Sequence, residues 1–149
     1  MTEDINIEQI GVYAKEASRL LAKTPSKQKN HALHAMSKHI LNDKKIILEA
    51  NKVDIENIKL KNLSPSFIDR LELNEDRIIS ISNTLKEIES FSDPVGKILD
   101  SWHRPNGLQI SRVSTPLGVI GIIFESRPNV TADAGALSLK AGNASILRG

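Results

Sequence analysis

With 149 residues, 40% of them hydrophobic, the chain is long enough to bury the core of one domain. Lys and Arg total 20 against 18 Asp and Glu, a net charge of +2 that argues against a nucleic-acid or anionic-membrane surface. Cysteine is absent, which excludes a disulfide framework, a thiolate metal site and a thiol nucleophile within these residues.

The opening Thr2-Glu3-Asp4 is acidic and polar rather than a secretory signal, and no later run is long enough to span a bilayer, so a soluble, cytoplasmic protein is expected. Ile7, Ile10, Ala14, Ala17 and Leu21 share one helical face, and Lys23-Thr24-Pro25 ends that run. Ser26 is read as the cap of a second helix lined by Leu33, Met36 and Ile40, with a break at Asn42-Asp43. A third helix runs from Lys44 through Ile47, Ala50, Asp54 and Ile58, and residues 62–65 close it. Residues 66–71 read as a short helix. Asn74, followed by Glu75 and Asp76, starts a longer one whose buried stripe is Ile78, Ile81, Leu85 and Ile88, ending near Ser90.

Helical periodicity stops at Ser92-Asp93-Pro94, which divides the chain into a helical part, 1–91, and a second part, 92–149. Residues 95–102 and 108–114 are strand-like and flank Arg104-Pro105-Asn106-Gly107, whose Asn-Gly pair signals a hairpin. The apolar run 119–124 reads as a buried strand. Thr131 as cap, Asp133 at the positive end, Lys140 at the negative end and Gly142 as left-handed stop define a helix over 132–141. Ala132, Ala134, Gly135 and Ala136 leave that helix with little bulk, so it can lie close on a sheet, and 144–147 returns as the next strand.

The strings Pro116-Leu117-Gly118-Val119-Ile120-Gly121, Phe124-Glu125-Ser126-Arg127-Pro128-Asn129-Val130-Thr131, Leu139-Lys140-Ala141-Gly142-Asn143-Ala144 and Ile146-Leu147-Arg148-Gly149 resemble the gamma-glutamyl phosphate reductase family of the aldehyde dehydrogenase superfamily. Asp93-Pro94-Val95-Gly96 and Trp102-His103-Arg104-Pro105-Asn106-Gly107 are further pieces of the same likeness. The resemblance implies an α/β, aldehyde-dehydrogenase-like fold: a helical N-terminal layer plus the first strand-helix-strand of a Rossmann-like cofactor-binding sheet, incomplete within these residues. It implies NADP(H) as cofactor and L-glutamate 5-phosphate as substrate, reduced in proline synthesis through a cysteine thiolate. With no cysteine present, the nucleophile and the main pyrophosphate loop are expected beyond Gly149, from a complementing C-terminal part, and the chain alone is expected to be inactive. A homo-oligomer of the family's kind is compatible with this; a non-catalytic remnant or interaction module is the alternative.

Several residues carry a functional and a plain reading side by side. Gly118 and Gly121 do not form the usual dinucleotide fingerprint, and by the resemblance the backbone of Ile123, Phe124, Glu125 and Ser126 borders the nicotinamide ribose. Asn129 is either a turn-forming residue or, by the resemblance, the oxyanion donor of the catalytic step. Arg127 either faces an anionic substrate or makes a surface salt bridge. Arg148 is either a strand-end cation or, by the resemblance, a ligand of the adenosine ribose and its 2′-phosphate. His31, His34 and His39 read as a solvated polar face, not a metal set, and Trp102 and Phe124 as core or interface anchors.

Overall fold

The computed structural model describes residues 6–60, 64–125 and 127–149. Its helices are α1 (Ile7–Leu21), α2 (Ser26–Asn42), α3 (Lys44–Lys59), α4 (Pro65–Leu71) and α5 (Glu75–Ser90). A hairpin of β1 (Ile98–His103) and β2 (Gln109–Val113) follows, then β3 (Val119–Ile123), α6 (Asn129–Lys140) and β4 (Ala144–Arg148). Of the residues expected to close the third helix, Asn62 and Leu63 lie outside the described residues.

The expected stripe of α5 is the centre of the molecule. Asn74 caps it, its side-chain oxygen accepting the Arg77 N–H at 2.8 Å, and Ile78, Ile81, Leu85 and Ile88 are all buried. Against them α2 sets Leu33, and Ala136 of α6 completes the cluster, with Met36, Ile40, Ala132 and Leu139 packed around it. Each such Leu or Ile contributes roughly 1.5–3 kcal/mol by leaving water. Where α2 and α5 cross, Ser37 and Ser82 are both buried and their hydroxyls meet at 2.9 Å. Two small side chains that satisfy each other let the backbones approach without an unpaired polar group.

Local expectation and structure part company at four helices. In α1 the buried residue is Ser18, while Ile7 and Ala17 of the expected face are exposed. Ser26 is the first residue of α2, not its cap; Pro25 holds the cap position without a side-chain bond. Proline has no N–H to leave unpaired and a φ already set for a helix start. In α3 the buried positions are Asn51 and Ile55, whereas Ala50 and Asp54 are exposed. Asn51 turns inward because its amide donates to the Leu71 carbonyl at 2.9 Å and its oxygen accepts the Leu73 N–H at 2.7 Å, tying α3 to the segment between α4 and α5. In α6 the helix begins at Asn129, behind Pro128, so Thr131 lies within the first turn and does not cap it.

The C-terminus of α6 is built as expected around Gly142, which takes φ +72. Gly142 N–H donates to the Leu139 carbonyl at 3.0 Å and Asn143 N–H to the Ser138 carbonyl at 2.8 Å, the paired bonds of a Schellman stop. Asn143, buried, then accepts the Gly118 N–H at 2.9 Å and so fastens the helix end to the start of β3. β3 and β4 pair in parallel from Val119 opposite Ala144 to Ile123 opposite Arg148. The small face of α6 is shared: Gly135 lies over Leu147 of β4, while Ala132 and Ala136 pack on the helical layer. α1 also packs against β3 and β4.

β1 and β2 are antiparallel, with Trp102 opposite Ile110 and an irregularity between Ile98 and Asp100. The connection is a turn with Pro105 and Asn106 at its centre, closed by Gly107 N–H to the Arg104 carbonyl at 2.9 Å, after which Gly107 takes φ +84. Only the glycine needs the left-handed conformation, so this is a three-residue loop rather than a two-residue Asn-Gly turn.

Candidate active site

Parallel pairing sets the carboxyl ends of β3 and β4 at one edge, and the chain leaving β3 turns directly into the N-terminus of α6. This is the edge at which open α/β sheets take ligands. The residues singled out in sequence fall here in two groups.

The first group is on the strand ends. Ile123, 87% exposed, stands opposite Arg148, and the Phe124 N–H donates to the Arg148 carbonyl at 2.9 Å. The Phe124 ring lies against the Gly149 backbone, close enough that a Cβ there would come within 3.2 Å of it. Glu125 and Arg148 are exposed, and Ser126 lies outside the described residues. An uncovered strand end, a flat aromatic ring and an exposed guanidinium suit the ribose and phosphate of a dinucleotide.

The second group lines a cavity of about 310 Å³ between α4, α5 and the start of α6. Arg127, Asn129 and Asp133 form one side, Arg70, Glu72 and Arg77 the other. Arg77 is held rigidly as part of the wall: its Nη1 donates to the Asp69 and Glu72 carbonyls and its Nη2 to Asp69 Oδ1 at 2.9 Å. The Asn129 amide donates to Asp133 Oδ2 at 2.9 Å, one turn along the helix. That bond uses one of its two N–H groups and fixes the direction of the other. The other Asp133 oxygen, Oδ1, is shielded from solvent and has no hydrogen-bond partner among the described residues.

Asp133 was visible in sequence only as a helix-dipole residue. Its pairing with Asn129 needs the helix to start at Asn129, because only then do the two stand four residues apart on one face. Arg70 and Arg77 carried no local signal; the packing of α4 and α5 beside α6 brings them in. The three histidines do not converge: His34 meets Glu89 at 3.3 Å, His31 and His39 are exposed, and no metal-binding cluster occurs among the described residues. Nor is any helix among them long and apolar enough to cross a membrane.

A helical layer carrying one parallel strand-helix-strand unit, with its candidate site at the carboxyl edge, defines an α/β protein. No protein-family model matches the chain. Curated relatives narrow the class. The chain is 56% identical to the gamma-glutamyl phosphate reductase of Allorhizobium ampelinum, over 94% of its own length and 33% of the relative's. It is 54% identical to that of Brucella suis, over 100% and 36%. The crystal structure of the Thermotoga maritima enzyme superposes with a TM-score of 0.93 at 39% identity, covering 95% of this chain and 34% of that one. The Saccharomyces cerevisiae enzyme gives 0.90 at 34% identity, covering 95% and 36%. The chain is similar to the N-terminal third of these gamma-glutamyl phosphate reductases, and spans about a third of the length of the curated relatives it matches.

Proposed function

We propose that the chain is the N-terminal segment of a cytoplasmic oxidoreductase of proline synthesis, which reduces L-glutamate 5-phosphate to L-glutamate 5-semialdehyde with NADPH. Residues 1–91 supply the helical layer and 92–149 the hairpin and the beginning of the cofactor-binding domain. The observation that carries the reading is the Asn129 amide, aimed by Asp133 and sharing a cavity with Arg127 at the carboxyl edge of the sheet.

In this reading the free N–H of Asn129 donates to the oxygen that gains charge when the acyl carbon is attacked, and Arg127 offers its guanidinium to the anionic substrate. The backbone at Ile123, Phe124, Glu125 and Ser126 borders the nicotinamide ribose and Arg148 holds the adenosine ribose with its 2′-phosphate. The bound cofactor would supply hydride. The thiol nucleophile must come from residues outside these 149, which contain no cysteine, on a complementing C-terminal part.

The test joins this chain to the C-terminal two-thirds of the Brucella suis reductase and follows NADP reduction with L-glutamate 5-semialdehyde and phosphate. Turnover is expected from the joined protein and none from the chain alone. Asn129→Ala in the joined protein should lower kcat on the order of a hundredfold with the KM for NADP little changed, as loss of a transition-state hydrogen bond requires. A folded but inactive joined protein, or an Asn129→Ala variant with near-normal kcat, would overturn the reading.

A further inference from the structure

We infer that Arg70 is a specificity residue, whose guanidinium receives the α-carboxylate of an amino-acid substrate; this rests on the proposed reduction of a gamma-glutamyl phosphate. Three observations single it out. It lines the cavity from α4, whereas Arg127 and Asn129 line it from the start of α6. The acid beside it in the chain, Asp69, is taken by Arg77 at 2.9 Å, and the Nη1 of Arg77 is spent on the Asp69 and Glu72 carbonyls. Arg70 itself is exposed and its side chain has no ion-pair partner among the described residues. Arg77 is thus a neutralised part of the wall, while Arg70 keeps a full charge and a free fork of donors beside the cavity.

The compound in the relatives' name, gamma-glutamyl phosphate, carries two anions at opposite ends. Its phosphoryl group is bonded to the reacting acyl carbon, and Arg127 stands two residues from Asn129, so the phosphoryl group falls to Arg127. The α-carboxylate is separated from the acyl carbon by four single bonds of about 1.5 Å, an extended reach of roughly 5 Å. With the acyl oxygen at the Asn129 amide, that carboxylate lies away from Arg127, and the unpaired cation on the other wall is Arg70. A guanidinium matches the two carboxylate oxygens bidentately, and a cavity of about 310 Å³ has the size of a small-molecule site. Two separated cations therefore read the two separated anions of one substrate.

The joined protein carries the test, with Arg70→Gln, which removes the charge from an exposed side chain that the fold does not use. Calorimetric binding compares L-glutamate 5-methyl ester with methyl 4-aminobutanoate, which lacks only the α-carboxylate. The glutamate ester is expected to bind about 10- to 100-fold more tightly, and Arg70→Gln to erase that preference. Turnover compares L-glutamate 5-semialdehyde with 4-aminobutanal, and the ratio of their kcat/KM values should collapse in the variant while the KM for inorganic phosphate stays unchanged. Cyclisation of either aldehyde cancels when that ratio is compared between the two proteins. If Arg70 holds the phosphate instead, its KM rises in the variant and the aldehyde ratio stays, which overturns the inference. Equal binding of the two esters to the unaltered protein, failure of both to bind included, or a preference that survives Arg70→Gln also overturns it. A preference that Arg70→Gln erases, in a joined protein without turnover, would keep the carboxylate site and reject the reductase reading.

Discussion

Lys29 is 1% exposed, yet its charge is met from two sides: Asp93 Oδ2 at 2.6 Å and the Lys140 carbonyl at 3.1 Å. Burial by itself would raise the Asp93 carboxyl, but hydrogen bonds from Lys29, the Val95 N–H and Ser26, together with the Lys29 charge, outweigh it and hold the group below its ordinary 3.8. Such a carboxyl contributes stability that is complete above 3.8 and is lost as pH falls through its folded-state value. Asp93→Ala should therefore cost about 3–5 kcal/mol in urea unfolding at neutral pH, because it leaves a buried ammonium without its counter-charge. The variant should also lose part of the acid dependence that the unaltered protein shows below pH 3.8. Equal stability of the two at neutral pH would mean that the ion pair contributes nothing. Lys140 behaves oppositely: burial, helped by the Lys29 charge, lowers it against the pull of Asp93 and Glu89, so this group's contribution improves as pH rises through its folded-state value.

Among the elements, α6 is where local rules were both most and least informative. Its end was legible, because a left-handed stop has one favoured residue and Gly142 sits where the periodicity stops. The structure adds a second constraint, since a Cβ on Gly142 would lie 2.9 Å from Pro116 Cγ and 3.1 Å from Val95 Cγ2. Gly142→Ala should thus cost roughly 2 kcal/mol or more, beyond what the strained backbone alone would take; thermal unfolding measures it, and an unchanged Tm would show that the segment simply shifts. The start was misplaced because Thr131 is a good cap in isolation, while Pro128 opens the helix three residues earlier. That displacement hid the Asn129–Asp133 pair and with it half of the candidate site. The stripes of α2 and α5 could be read because their burial follows period alone, whereas in α1 the buried residue is Ser18 and Ile7 and Ala17 of the expected face are exposed. In α3, Asn51 turns inward for a hydrogen bond across the chain, which no periodicity announces.

At the scale of the whole molecule, α2, α5 and α6 converge on one polar junction. Lys29 from α2 meets the last carbonyl of α6, and Lys140 at the end of α6 donates to Asn30 Oδ1 at 2.6 Å and to the Glu89 carbonyl near the end of α5 at 2.8 Å. Each ammonium supplies a donor to helix-end carbonyls that would otherwise lack one. Sequence showed Lys140 only as a dipole partner of its own helix and did not single out Lys29, since lysines are rarely buried.

The junction also keeps a clock. An acylating reagent attacks only an amine it can reach, so exposed lysines such as Lys23 and Lys45 are open to it continuously, whereas Lys29 and Lys140 become available only when three helices separate. Pulsed amine labelling read by mass spectrometry should find these two sites silent in the native protein and reacting together as urea unfolds it, reporting the opening of the helical layer as covalent marks on two known residues. Native labelling of Lys29 as fast as that of Lys23 would mean that the layer opens freely, and that the two lysines do not hold it.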